Sequence, residues 1–516
     1  MTVNRRVFIR NAIILSVVPG AGQALKPASA RAEPQRGGLF RAALGQGATT
    51  DTLDPATWGT NYFTSELGSI IGNALTEVDA RNGIIPGLAE SFAAEDGARK
   101  WVFKLRRGVT FHNGRTVTAD DVVASINYHR GENSKSGSKP GLAIVSDIKA
   151  DGAETVIFTL KTGSPDFLYE TSSYRLAIFP ATDGRIDAST GGTGPFIITR
   201  FEPGVILEAK RNPNYFNAAK PYFDAVQLRV VADAAARTTA LITGEVDYID
   251  RCDLRTIDRL QQSSDVEIDN VTGFSHLVAT MNTTVPPFDD INVRLALKYA
   301  IDREELLKKI LYGYGTVGND NPFAPTLKFA ANPEPVHRYD PAMARSYLRK
   351  AGLDSLKVDL STSNAAFDGA VDAAALIKET AARCGIEINI VTESADSYWD
   401  TVWMKKPFML SFWGGRPTID QHATQAYAAE APWNDTFWKD PRFNELLVAA
   451  RSETDEAKRA AMYAEMQQLL HDEGGQIVLM FNNYVGARSK KVGHGELNSN
   501  LDHDGTYMWR RWWLNT

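Results

Sequence analysis

The sequence predicts an α/β protein built as two or three lobes rather than one. Three observations carry this. The chain has 516 residues, whereas a single hydrophobic core stops growing at roughly 250–300 residues. Its last third alternates short apolar runs with helical patterns, the order of a helix-flanked sheet. No repeat of solenoid period and no long flexible linker interrupts it, as expected of lobes assembled from discontinuous segments.

The elements follow in order. Residues 37–44 read as a first strand, broken by a loop over 45–55, and a helix is expected over 63–75. Apolar and basic residues alternate over 101–106 as in a strand with one wet face, and Asn113-Gly114 supplies a tight turn. Thr118 with Asp121 three positions on is a capping box that opens a helix. Residues 194–198 and 205–209 pair around the turn Pro203-Gly204, a helix over 237–242 ends at Gly244, and 246–249 is strand-like. A helical run covers 292–301, and another starts at Asp302. Strands at 357–360, 386–391 and 477–481 alternate with helices at 370–383 and 457–471. Gly313 to Gly318 matches a dinucleotide-binding glycine pattern, but it follows a helix and is read as a loop.

Composition narrows the function. With 43% hydrophobic and 23% charged residues the chain can bury a large core. Residues 1–32 read as an export leader: Arg5, Arg6 and Arg10 precede an apolar stretch over 12–25 and small residues at Ala28, Ala30 and Ala32. The run from Asn4 to Arg10 resembles a twin-arginine signal, with a general secretory signal as the alternative. Removing the five basic residues of this leader takes the formal charge from −6 to −11. An acidic surface repels phosphate backbones and anionic lipid, which disfavours nucleic acid and membrane surfaces as partners. Cys252 and Cys384 are far apart, with no zinc spacing and no disulfide framework. They are expected to be separate thiols.

Catalysis leaves no trace. None of the eight histidines forms an i,i+4 pair around a glutamate, and there is no Gly-x-Ser-x-Gly elbow and no phosphate-binding loop. The chain is therefore expected not to be an enzyme and to need no cofactor and no metal. An exported hydrolase and a folding helper or sensor subunit stand as the alternatives of other classes.

A long pattern identifies a family. It consists of Gly87-Leu88-Ala89-Glu90-Ser91-Phe92, then Trp101 through Gly114, then Thr118-Ala119-Asp120-Asp121-Val122. Further matches are Gly192-Thr193-Gly194-Pro195-Phe196, Arg211 to Phe216, Gly244 to Asp247, Met281 to Thr284, Val293 to Ala296, and Ala300-Ile301-Asp302-Arg303. Together these resemble solute-binding family 5, the peptide/opine/nickel-binding components of ABC importers. The resemblance implies a two-lobed periplasmic binding protein of the cluster C type, with an extra small domain and a hinge between the lobes. It divides the chain into lobe I (35–79, 190–268 and 485–516), the extra domain (80–189) and lobe II (269–484). It further implies a monomer in the periplasm, with a small-molecule solute and inner-membrane permease subunits as partners.

The same resemblance places the site. Peptide-binding relatives hold the ligand's amino terminus on an aspartate, and Arg416 stands in its place within Phe412 to Asp420. A guanidinium offers a rigid donor fork suited to carboxylate or phosphate, so an acidic or zwitterionic solute is expected. Two alternatives stay open: Arg416 pairs with an acidic neighbour, or Asp420 is the equivalent residue and takes an ammonium group. Trp413, Gly414 and Gly415 flank the arginine. Trp58, Asn61 and Tyr62 lie on the opposing loop, and Phe274, His276, Asn483 and Tyr484 near the crossovers. Ser363 follows a lobe II strand, in a loop that lacks the arginine some dipeptide binders use there.

Overall fold

The computed structural model describes residues 34–59 and 61–515, except for the side chain of Tyr62. The leader read at 1–32 lies outside the described residues. Eleven strands form one mixed sheet. Its order runs from the hairpin Phe196–Glu202 and Ile206–Arg211 through Ala225–Val230, Leu39–Leu44 and Tyr248–Ile249 to the long strand Gln476–Ser489. It continues through Val266–Met281, Phe408–Trp413, Leu356–Thr362 and Ile386–Thr392.

Two strands cross from one half of this sheet to the other. Val266–Met281 and Gln476–Ser489 run antiparallel over 16 and 14 residues. In the first half, residues 266–272 pair with 483–489 beside Tyr248–Ile249. In the second half, 276–281 pair with Phe408–Trp413. The register shifts between Thr272 and His276, where the sheet passes between halves. Interruptions of this kind bend a strand and re-aim its side chains.

The segment expected as a glycine loop contains a short strand, Gly315–Val317, paired antiparallel with residues 480–482. The glycines explain it: a Cβ on Gly315 would lie 2.5 Å from the Phe481 carbonyl oxygen, and one on Gly318 would lie 2.2 Å from that of Val478. They let the backbone approach a crossover strand rather than a phosphate.

Separate apolar cores lie on each side of the crossover. One gathers Phe40, Phe63, Ile71, Phe196, Leu228 and Trp509. Another gathers Leu88, Trp101, Phe103, Phe111, Phe158 and Phe167, around the four strands Ala89–Glu95, Lys100–Leu105, Thr155–Leu160 and Val145–Asp151. Residues 177–179 alternate between these two, with Ala177 and Phe179 in the first and Ile178 in the second. The far side holds one core around Leu277, Leu360, Ile377 and Leu410 and another around Phe274, Trp413, Tyr427 and Phe443. Cys252 and Cys384 are buried free thiols in different cores.

Local readings translate directly where capping is involved. The Thr118 capping box with Asp121 opens Ala119–Arg130, Asp302 caps Arg303–Ile310, and Gly204 takes a φ of 64° in the hairpin turn. The two sides also touch away from the sheet. Arg459 pairs with Asp166 at 2.6 Å with both side chains largely buried, and Gln421 donates to Glu170.

Candidate functional site

The strand Phe408–Trp413 delivers its C-terminal end to the crossover, with Trp413 opposite His276 in the ladder. The chain then turns through Gly414-Gly415-Arg416-Pro417 into the helix Ile419–Ala426, whose N-cap Thr418 accepts from the Gln421 amide at 3.2 Å. Gly415 lies directly on the crossover strand: a Cβ there would sit 2.0 Å from the Cβ of Phe274. Phe274 itself is buried in the adjoining core and supports this turn.

Arg416 is half-buried. Its Nε donates to Gln425 Oε1 at 2.7 Å, and its Nη1 donates to the carbonyls of Gly414 and Gly415, both at 3.0 Å. These neutral acceptors fix the fork, and no carboxylate of the described residues pairs with it. Burial lowers the Arg416 pKa, and the charge of Arg175 lowers it further against a smaller pull from Glu170. A guanidinium nevertheless stays protonated. The group is a preorganised cation with a donor, Nη2, to spare.

Arg175 was not singled out from sequence, and its charge lies near enough to Arg416 to act on it. Its Nε donates to the Trp58 carbonyl at 2.9 Å and its Nη2 to the Gly59 carbonyl at 2.8 Å, while its guanidinium stacks 4.5 Å from the Tyr174 ring centre. The Tyr174 hydroxyl donates to the same Gly59 oxygen at 2.7 Å. A Cβ on Gly59 would meet no atom within 4 Å, and one on Gly414 would meet only Arg416 Nη1 at 3.7 Å.

The acidic groups nearby are engaged. Asp420 is held by Arg451 at 3.0 Å; burial raises its pKa to about 6. Asp166 is held by Arg459. Glu170 accepts from Gln421, and burial raises its pKa.

Trp413 is only 5% exposed, and its indole donates to Asp435 Oδ2 at 3.2 Å, next to a 3.3 Å bond from Trp403. Rings continue outward from it to Trp433, which is 41% exposed. His276 and His422 lie beneath, ring centres 5.4 Å apart. Burial pushes the His276 pKa down to about 4 and that of His422 well below its usual value, so both are neutral at pH 7.

The remaining expected residues make local bonds. Asn61 caps the helix Tyr62–Ile71 through Thr64 N at 2.9 Å and donates to Asp51 at 2.8 Å. Trp58 is buried and donates to the Thr52 carbonyl, contributing its own carbonyl to Arg175. The Tyr62 side chain lies outside the described atoms. Ser363 is buried, and its hydroxyl accepts from Ala365 N at 3.3 Å. Asn483 donates to Asn270 at 2.7 Å, bonding the two crossover strands, and the Tyr484 ring covers Gly273. The structure thus brings Phe274, His276, Trp413, Gly414, Gly415 and Arg416 together at the crossover.

Among the described residues, no group of three His, Cys, Asp or Glu side chains could hold a metal ion, and no helix is long and apolar enough to cross a membrane. Two sides joined by paired crossover strands define a two-lobed periplasmic binding protein. The fold agrees with solved structures. One is the periplasmic binding protein DppA from Helicobacter pylori in complex with the peptide STSA, with TM-score 0.74 and 22% identity over 93% of this chain and 99% of that one. Another is AgaA from A. tumefaciens R10 in complex with agropinic acid, with TM-score 0.76 and 23% identity over 93% and 99%.

Residues 83–437 match the profile of bacterial extracellular solute-binding proteins, family 5, and the chain belongs to that family. The dipeptide-binding protein of Escherichia coli K12 is 25% identical over 473 residues, 84% of this chain and 88% of that protein. The protein is a periplasmic solute-binding protein of an ABC importer, not an enzyme.

The open space beside Gly414 gives a direct check on where the solute lies. Gly414→Leu is expected to weaken binding about tenfold or more, a loss of roughly 1.4 kcal/mol or greater. Calorimetry on the intact protein reads the affinity, and a thermal melt alongside it confirms that the fold is kept.

Proposed function

We propose that the chain captures a small acidic or zwitterionic solute, an opine-like or otherwise modified amino acid, between its lobes and delivers it to permease subunits. One observation carries the reading: Arg416, which the family resemblance sets where peptide-binding relatives have an aspartate, is a half-buried cation held by neutral acceptors alone. Confining such a charge is costly unless an anion meets it, so the ligand is the natural source of that anion. Asp420, bonded to Arg451, is a weaker candidate for an ammonium group than sequence alone implies. The rigid units we propose are lobe I over 35–79, 190–268 and 485–516, the extra domain over 80–189, and lobe II over 269–484. Residues 1–32 act as a twin-arginine leader in this reading, and the exported chain works as a monomer.

Binding energy reaches the lobes only as the difference between open and closed forms. A solute that touches Arg416 on one side and the 58–59 loop on the other supplies that difference. A di- or oligopeptide is the second reading, supported by likeness to a dipeptide-binding protein.

Native mass spectrometry of protein purified from its source tests both readings. An adduct whose fragments carry a free carboxylate on a modified amino acid is the expected result. A plain peptide adduct supports the second reading, and an adduct lacking any acidic group overturns the first. Calorimetry with agropinic acid, a dipeptide and the peptide STSA ranks the classes independently.

A further inference from the structure

We infer that Asp435 is a positioning residue of the solute site, its carboxylate holding both flanks of the turn that carries Arg416. This deepens the proposed function and rests on it, because the turn bears on the solute through Arg416.

The bonds converge on one side chain. Asp435 is only 2% exposed. Its Oδ2 accepts from the indoles of Trp413 at 3.2 Å and Trp403 at 3.3 Å, and its Oδ1 accepts from Gln476 Nε2 at 3.2 Å. Gln476 Oε1 accepts in turn from the Tyr427 hydroxyl at 2.8 Å. Trp413 ends the strand before the turn, and Tyr427 is the C-cap of the helix after it. Gln476 opens the crossover strand Gln476–Ser489. One carboxylate therefore ties the strand before Arg416 directly and the helix after it through a single amide, and fastens both to the crossover.

The anchor is itself fixed. Asn434 donates to the Trp438 carbonyl at 2.7 Å, and the Thr436 carbonyl accepts from Thr283 N at 2.9 Å, just past the end of the other crossover strand. The chemistry fits the acceptor as well. All three direct partners are neutral donors, and an ionised carboxylate only accepts. Burial raises the Asp435 pKa to about 6 against the bonds that lower it, and Tyr427, reached through Gln476, is the titratable group of the network. Removing the acceptor leaves the buried Trp413 indole unsatisfied, which favours its turning away. The carbonyls of Gly414 and Gly415 that hold Arg416 Nη1 directly follow Trp413 in the chain and move with it.

The test uses the whole protein with Asp435→Ala, Asp435→Asn and Arg416→Met. Asparagine keeps the shape and one acceptor oxygen; alanine keeps neither. Nuclear magnetic resonance of ligand-free protein labelled in tryptophan and arginine reads the bonds without any solute. Trp403→Phe and Trp413→Phe identify the two indole N–H signals, and Arg416→Met identifies the Arg416 Nε–H signal. In Asp435→Ala all three are expected to shift together. An indole signal that stays in place, or an Arg416 signal that stays while the indoles move, overturns the proposal. In native mass spectra of protein from its source, Asp435→Ala is expected to carry the resident adduct at about one tenth of wild-type occupancy or less, and Asp435→Asn to recover most of it. Wild-type occupancy in Asp435→Ala, or equal loss in both variants, also overturns it. Retention of the adduct in Arg416→Met overturns instead the reading on which the proposal rests.

Discussion

Replacing Arg416 by alanine is expected to weaken solute binding by ~2–5 kcal/mol, the range for removing one partner of a buried, hydrogen-bonded charge pair. Part of that loss is the ligand's own anion, left desolvated without a partner. Because Gln425 and the carbonyls of Gly414 and Gly415 hold the side chain in the structure described here, the wild-type site needs little rearrangement to bind. The loss should therefore appear mainly in the dissociation rate. Calorimetry and stopped-flow tryptophan fluorescence read the two quantities, and Trp433 and Trp413 beside the site provide the optical signal. Arg416→Lys is not a rescue here: an ammonium group keeps the charge but cannot reproduce the fork that bonds Gln425 and two carbonyls at once.

The second large effect lies in the folding of the far lobe. Asp320 is fully buried between Arg303 and His337, each 2.7 Å from one of its oxygens. Burial alone would raise its pKa, but Arg303, the His337 bond and Lys298 together overcome that and hold it well below the usual carboxylate range. Lys298 beneath it donates to the His471 carbonyl, and burial brings its pKa down to about 8. Asp320→Ala leaves Arg303 buried without its counter-charge, a change that costs about 3–5 kcal/mol. The folded carboxyl titrates below the unfolded one, whose pKa is about 3.9. Its contribution is therefore whole above about pH 4 and is lost as the pH falls further. Urea unfolding at neutral pH should show the full deficit, and the gap between variant and wild type should narrow in acid.

Much of the architecture was legible because it is written locally. The Thr118–Asp121 box, the Pro203-Gly204 turn and the alternation read over 101–106, found as the strand Lys100–Leu105, depend on neighbours within a few residues. The glycine segment before the crossover was misread as a loop because its partner strand is remote in sequence; nothing nearby shows that Gly315 must clear the Phe481 carbonyl.

The site was half legible for the same reason. The run from Trp413 to Arg416 is contiguous, and its strand, turn and helix follow from it. Asn61 stands one residue before a helix, and its capping of Thr64 is a role such a position announces. Asp420 looked available because Arg451, its partner, lies a helix away. Arg175 was missed because nothing around Tyr174 marks it; its bonds to the Trp58 and Gly59 carbonyls join segments more than 100 residues apart in sequence. Single aromatic residues were equally ambiguous, and Trp58 proved to be buried core that lends the site its backbone.

The most direct measurement is a crystal structure of the protein loaded with the solute it carries from its source. An oxyanion of that solute is expected about 2.7–2.9 Å from Arg416 Nη2, the distance of a charge-assisted bond, with density filling the open space beside Gly414. A gap closed by the protein's own side chains, or an Arg416 guanidinium turned out into water while the solute binds elsewhere, would contradict it.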